Sequence, residues 1–97
     1  RVKKSMNDAA GLIRDAAPLY AELAGAMNQL PDDAAVLREL VGKADRLTVK
    51  LGDARLLYSS VKSDAPDPSV VDRRLAQLEE LLSSVEECRK ELKKRLQ

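Results

Sequence analysis

The ten residues "RDAAPLYAEL", Arg14 to Leu23, place a proline inside what otherwise reads as a long helix. If Pro18 ends that helix, the first segment breaks into two short helices; if the helix runs through it, the chain contains three long ones. Counting apolar residues outward from this stretch decides between them. Spacings that alternate four and three pass through Val2, Met6, Ala9, Ile13, Ala16, Tyr20, Leu23, Met27 and Leu30, all apolar. The register crosses Pro18 without a slip, as one amphipathic helix requires. Pro18 falls two residues before Tyr20, at the position farthest from that seam. There its ring and missing N–H bend the helix around the core instead of ending it.

The same count holds further along the chain. Leu37, Leu40, Ala44, Leu47, Leu51, Ala54, Tyr58 and Val61 form a second seam. Val71, Leu75, Leu78, Leu82, Val85, Arg89, Leu92 and Leu96 form a third, with Arg89 its only polar member. A long arginine at such a place packs its stem and sends its head to solvent. "NQLPDDA" and "KSDAPDPS" combine proline with Asp, Asn and Ser between the seams, which marks two interhelical loops. In the second loop Asp67 is a natural N-cap and Pro68 a natural first helical residue, because proline lacks the amide a helix start leaves unpaired. Pro31 is read in the same way as the opening of the second helix, with Asp32 and Asp33 at the positive end of its dipole.

The segments are therefore about 3–29, 32–62 and 68–97, each about 40 Å long at 1.5 Å per residue. Loops this short force neighbouring helices antiparallel. The expected fold is all-α, a single up-down-up antiparallel three-helix bundle with heptad seams over residues 1–97.

Composition excludes several function classes. Of 97 residues, 44% are hydrophobic and 34% charged, enough for one core of moderate size. The 17 basic and 16 acidic residues leave a net charge of +1, so no global field draws the chain to nucleic acid or anionic lipid. The basic end "RKELKKR" is interrupted by a glutamate and has no Trp or Phe to stack on bases. Apolar runs are only a few residues long, and no hydrophobic stretch follows the basic "RVKK", so neither membrane insertion nor a signal peptide is expected. The lone Cys88 has no partner for an internal disulfide, in keeping with a cytoplasmic protein. The chain opens on Arg1 and closes within "RKELKKRLQ", the pattern of a piece of a larger protein.

No catalytic or cofactor signature emerges. Histidine is absent, a single cysteine cannot build a thiolate cage, and no glycine-rich phosphate loop exists. No enzyme, metal or cofactor is expected. "LEELL", Leu78 to Leu82, matches a receptor-docking pattern, but Leu78 and Leu82 are both seam residues and read as core. Acidic residues of the third segment are placed for i,i+4 pairs, Glu86 with Lys90 and Glu91 with Arg95.

The exterior of the first segment is unlike the others. Gly11, Pro18 and Gly25 share its outermost position at seven-residue spacing, with Ala10, Ala17 and Ala24 beside them. From Ala9 to Met27 the only charges are Arg14, Asp15 and Glu22. The third segment instead covers its outside with Asp72, Arg73, Glu79, Glu80, Glu86, Glu87, Lys93 and Lys94. Alanine is a good helix former and suits a wet face, but two glycines and a proline are poor ones and are not explained by propensity. A helix apolar on more than one side is usually buried on more than one side. The candidate partner-binding residues are therefore Ala10, Gly11, Leu12, Ala17, Pro18, Leu19, Ala21, Ala24 and Gly25. The small ones leave a shallow channel, and Leu12 and Leu19 serve as apolar anchors at its margin. Val49, Leu56 and Leu57 on the second segment form a smaller secondary patch.

The three segments "VKKSMNDAAGLIRDAAPLYAELAGAM", "AAVLRELVGKADRLTVKLGDARLLYSSV" and "SVVDRRLAQLEELLSSVEECRKELKKRL", joined by short linkers, resemble spectrin-repeat-like three-helix modules over essentially the whole chain. The tryptophan such repeats often carry in the first helix is absent, with Ala16 and Tyr20 in that region. The resemblance implies binding instead of chemistry, within an intracellular scaffold or adaptor; the small-residue face of the first segment is then expected to dock a protein partner, either a helical segment or a second copy in a homodimer. A structural spacer of a cytoskeletal protein, a trafficking-adaptor bundle and a co-chaperone bundle fit the same architecture.

Overall fold

A computed structural model describes all of residues 1–97 as three long helices in an up-down-up bundle measuring 49 × 18 × 18 Å. Helix α1 spans Val2–Asn28, α2 spans Ala34–Val61 and α3 spans Pro68–Leu96, with a 3₁₀ turn at Lys62–Asp64. Helix α1 runs unbroken through Pro18, whose ring is exposed. An outward proline leaves the Arg14 carbonyl without its helical donor but keeps its ring out of the core.

The helix starts follow from their caps. Asp67 accepts from the Ser69 amide at 3.2 Å and from the Ser69 hydroxyl at 2.6 Å, and Pro68 is the first residue of α3. The Ser69 hydroxyl is the main cause of the lowered Asp67 pKa. The start of α2 departs from the reading based on Pro31. Asp33 is its N-cap, with one carboxylate oxygen accepting from the amides of Ala35 at 2.8 Å and Val36 at 3.3 Å. Pairing two orphan amides outweighs the preset φ of Pro31, which lies half-buried in the linker. Asp32 instead meets Arg95 of α3 at 2.7 Å.

The seams lie inward, but they are not equally buried. All eight apolar seam positions of α2, from Leu37 to Val61, are buried. In α1 only the alternate series Ala9, Ala16 and Leu23 is buried, while Met6, Ile13, Tyr20 and Met27 are half-buried. In α3 the buried series is Val71, Leu78, Val85 and Leu92, while Leu75, Leu82 and Leu96 are half-buried. Helix α2 packs along the length of both neighbours, whereas α1 and α3 approach each other only sparsely. Alanines at the centre, Ala9 and Ala16 on α1 with Ala44 and Ala54 on α2, are almost fully buried and let backbones come close. The bundle thus has two tight seams and one loose one.

Polar contacts follow the same plan. Lys43 of α2 pairs with Glu22 of α1, which raises the lysine pKa. Arg55 of α2 pairs with Glu79 of α3 at 2.9 Å. Arg89, the half-buried polar member of the third seam, donates from Nε to Asp45 of α2 at 2.8 Å. The i,i+4 pairs expected on α3 are replaced: Glu86 meets Arg89 at 3.8 Å, Lys90 meets Glu87 at 3.8 Å, and Arg95 turns to Asp32. Exposed pairs of this kind contribute at most about 1 kcal/mol each, so apolar burial decides the fold.

Two stability outcomes follow. Leu47→Ala and Leu78→Ala, each truncating a side chain at most 1% exposed, should cost about 2–5 kcal/mol in urea unfolding. Glu80→Ala, on the exterior, should cost little, and equal small losses at all three would contradict this core. Pro18→Ala should leave stability unchanged or higher, because it restores a donor to the Arg14 carbonyl. Loss of cooperative unfolding in that variant would show the proline to be required.

Candidate functional site: a groove on the loose seam

Where α1 and α3 part, an apolar cavity of about 180 Å³ opens to solvent. Its α1 wall is Ile13, Ala17, Tyr20 and Ala21; its floor is Ala16 with Leu47 and Leu51 of α2; its α3 wall is Leu81. Every lining residue is apolar in body. The wall from Ile13 to Ala21 covers nine residues, a rise of about 12 Å or two helical turns.

Helical geometry explains the arrangement. Ile13 and Tyr20 belong to the half-buried series of α1, turned from α2 toward α3. Ala17 and Ala21 stand just outside them, and neither has a side chain long enough to bridge to α3. The crossing that does occur is thin: the Tyr20 hydroxyl donates to Ser84 Oγ at 3.5 Å, a long contact. Past that point the α3 rim continues as Gln77, Glu80 and Ser84, then Ser83 and Glu87.

The structure distributes the candidate partner-binding residues over three environments. Ala17 and Ala21 are exposed and line the groove. Ala10, Pro18, Ala24 and Gly25 are exposed on the outer face, and Gly11 is half-buried. Leu12 and Leu19 pack against the bundle's own core, on the flank that also carries Glu22 and faces Lys43. They are turned away from Ala17 and Ala21 and do not border the groove. On α2, Val49 and Leu56 are 62% and 67% exposed, whereas Leu57 packs against the core.

Leu81 is the groove residue that the seam count passes over. It is apolar yet off the seam of α3, and an apolar side chain out of register is the signal that a second face is covered or shared. Ile13, Tyr20, Leu47 and Leu51 were legible only as core, since spacing reports an inward face and not whether a neighbour closes over it.

Chemistry is sparse. No group of three or more His, Cys, Asp or Glu side chains is placed to hold a metal ion. No helix is long and apolar enough to cross a membrane. Burial pushes the half-buried Cys88 thiol pKa up, the opposite of what an activated thiolate requires. Comparison of the chain with protein-family models, with curated proteins and with solved structures finds no match. The likeness to spectrin-like modules is one of architecture: an all-α three-helix bundle.

The outer glycines are not demanded by this fold. A Cβ at Gly25 would meet nothing within 4 Å, and no glycine has a positive φ. Gly25→Ala should therefore stabilise the isolated chain by about 0.5–1 kcal/mol, the usual cost of glycine in a helix interior. A lower melting temperature in that variant would show that the backbone needs the glycine after all.

Proposed function

We propose that this chain is a non-enzymatic protein-interaction module of a larger scaffold or adaptor, and that it receives a partner helix along α1, seated in the groove between α1 and α3. The observation that carries the reading is the wholly apolar groove over Leu47 and Leu51. Concave, apolar and preformed sites are where ligands and peptide segments dock. An amphipathic helix is the natural occupant, because two apolar residues one or two turns apart match a wall of two turns.

The α1 exterior supports the same reading from energetics. Gly25 and Pro18 each cost helix stability, and the isolated bundle gains no packing from either. A partner backbone lying close over small side chains would recover that cost.

The test is to block the groove without touching the core. Ala21→Glu puts a charge on its wall, and Gly25→Arg puts bulk on the neighbouring outer face; both positions are exposed. Each variant should keep the helical circular dichroism and melting behaviour of the parent. A photo-crosslinking residue at Ala17 should capture a helical segment in the parent background and lose it when Ala21→Glu is added. If capture is unchanged by Ala21→Glu, or is as strong from Val49, the groove is not the docking site. Sedimentation distinguishes a second copy from a different protein as the occupant.

A further inference from the structure

The two walls of the groove differ in charge, and this difference names the partner's chemistry. Resting on the docking reading above, we infer that the occupant is an amphipathic helix with an apolar stripe facing Leu47 and Leu51 and a row of lysine or arginine along the edge that meets α3. The α1 wall from Ile13 to Ala21 is neutral at every lining position. The α3 rim meets the groove through Tyr20 and Leu81 at Gln77, Glu80 and Ser84, and the outer surface adjoining that rim holds Glu79, Ser83 and Glu87; none of these α3 residues is basic.

These carboxylates are available. Glu80 has no ion-pair partner, and Glu87 has only Lys90 at 3.8 Å. The neighbouring Glu79 is already taken by Arg55 of α2. Glu80 and Glu87 lie seven residues apart, about 10 Å along α3, so basic side chains at i and i+7 of a bound helix would reach both. An acidic rim on a chain of net charge +1 is local patterning, not a reflection of overall composition. Arg14 supplies the one cation near the α1 wall, beside Gly11 at the Ile13 end, and it repels a basic edge on that side. The asymmetry therefore selects orientation as well as sign: basic edge toward α3, small or apolar edge toward α1.

Two synthetic helical peptides with one leucine stripe between them as common design, one flanked by lysine and the other by glutamate, test this directly. Fluorescence anisotropy with the whole chain at low salt should find the lysine peptide bound roughly tenfold more tightly, a gap that narrows in high salt. Amide shifts should centre on Ala17, Tyr20, Ala21 and Leu81. Glu80→Lys with Glu87→Lys, both exposed positions, should reverse the preference, and Ala17→Glu should weaken both peptides. Equal binding of the two peptides, or a preference for the glutamate peptide, overturns the basic edge while leaving the groove as a docking site. Binding of neither overturns the docking reading with it. Self-association of the chain through these same amides would assign the groove to a second copy and overturn the inference.

Discussion

The two-sided burial of α2 is the constraint on which the rest of the structure depends. A helix in a three-helix bundle can share its apolar surface evenly between two neighbours, and α2 does so, with both of its seam series covered from Leu37 to Val61. Helices α1 and α3 each commit one series to α2. Of the apolar surface that remains, Ile13 and Tyr20 on α1 and Leu81 on α3 line the groove between the two helices and stay half-buried. Hydrophobic burial scales with area removed from water, at about 25 cal/mol per Å², so half-burial leaves driving force unspent on this side of the molecule.

That residual surface links stability to the proposed docking groove. Small residues at the α1–α2 contact, Ala9 and Ala16, draw α1 onto α2, and Ala17 and Ala21 next to them cannot fill the gap toward α3. One compositional choice, alanine at successive places on α1, both tightens one seam and opens another. The polar contact across the loose side is weak by geometry: the Tyr20 hydroxyl lies 3.5 Å from Ser84 Oγ. Nothing there resembles the shorter pairs that join α2 to its neighbours.

Much of this was legible in the sequence. The alternating four-three spacing predicts three helices, carries α1 through Pro18 and assigns nearly every core residue, because the period of an amphipathic helix is a property of the chain alone. Asp67 and Pro68 are equally plain, since cap and proline preferences are local. The start of α2 is less so: Asp32 and Asp33 are interchangeable in composition, and only the backbone path decides that Asp33 reaches the amides of Ala35 and Val36. Spacing misplaces the ion pairs of α3 for a related reason. Helix spacing offers Glu91 to Arg95, but the linker brings Asp32 within 2.7 Å of Arg95. The groove is half-visible in the sequence: the small exterior of α1 points to its wall, but Leu12 and Leu19, which spacing offers as anchors, lie on a flank that faces the bundle's own core. Spacing tells which way a side chain faces and not which neighbour comes to cover it.

The claim that the α1–α3 seam is open while the two α2 seams are closed is tested most directly by solvent exposure of individual methyl groups. In a methyl NMR spectrum titrated with a neutral, soluble paramagnetic agent, Ile13 and Leu81 should broaden early, while Leu37, Leu78 and Leu92, each at most 1% exposed, should stay sharp. Protection of Ile13 and Leu81 equal to that of Leu78 would contradict the account, because it would mean that α1 and α3 close over the groove in solution.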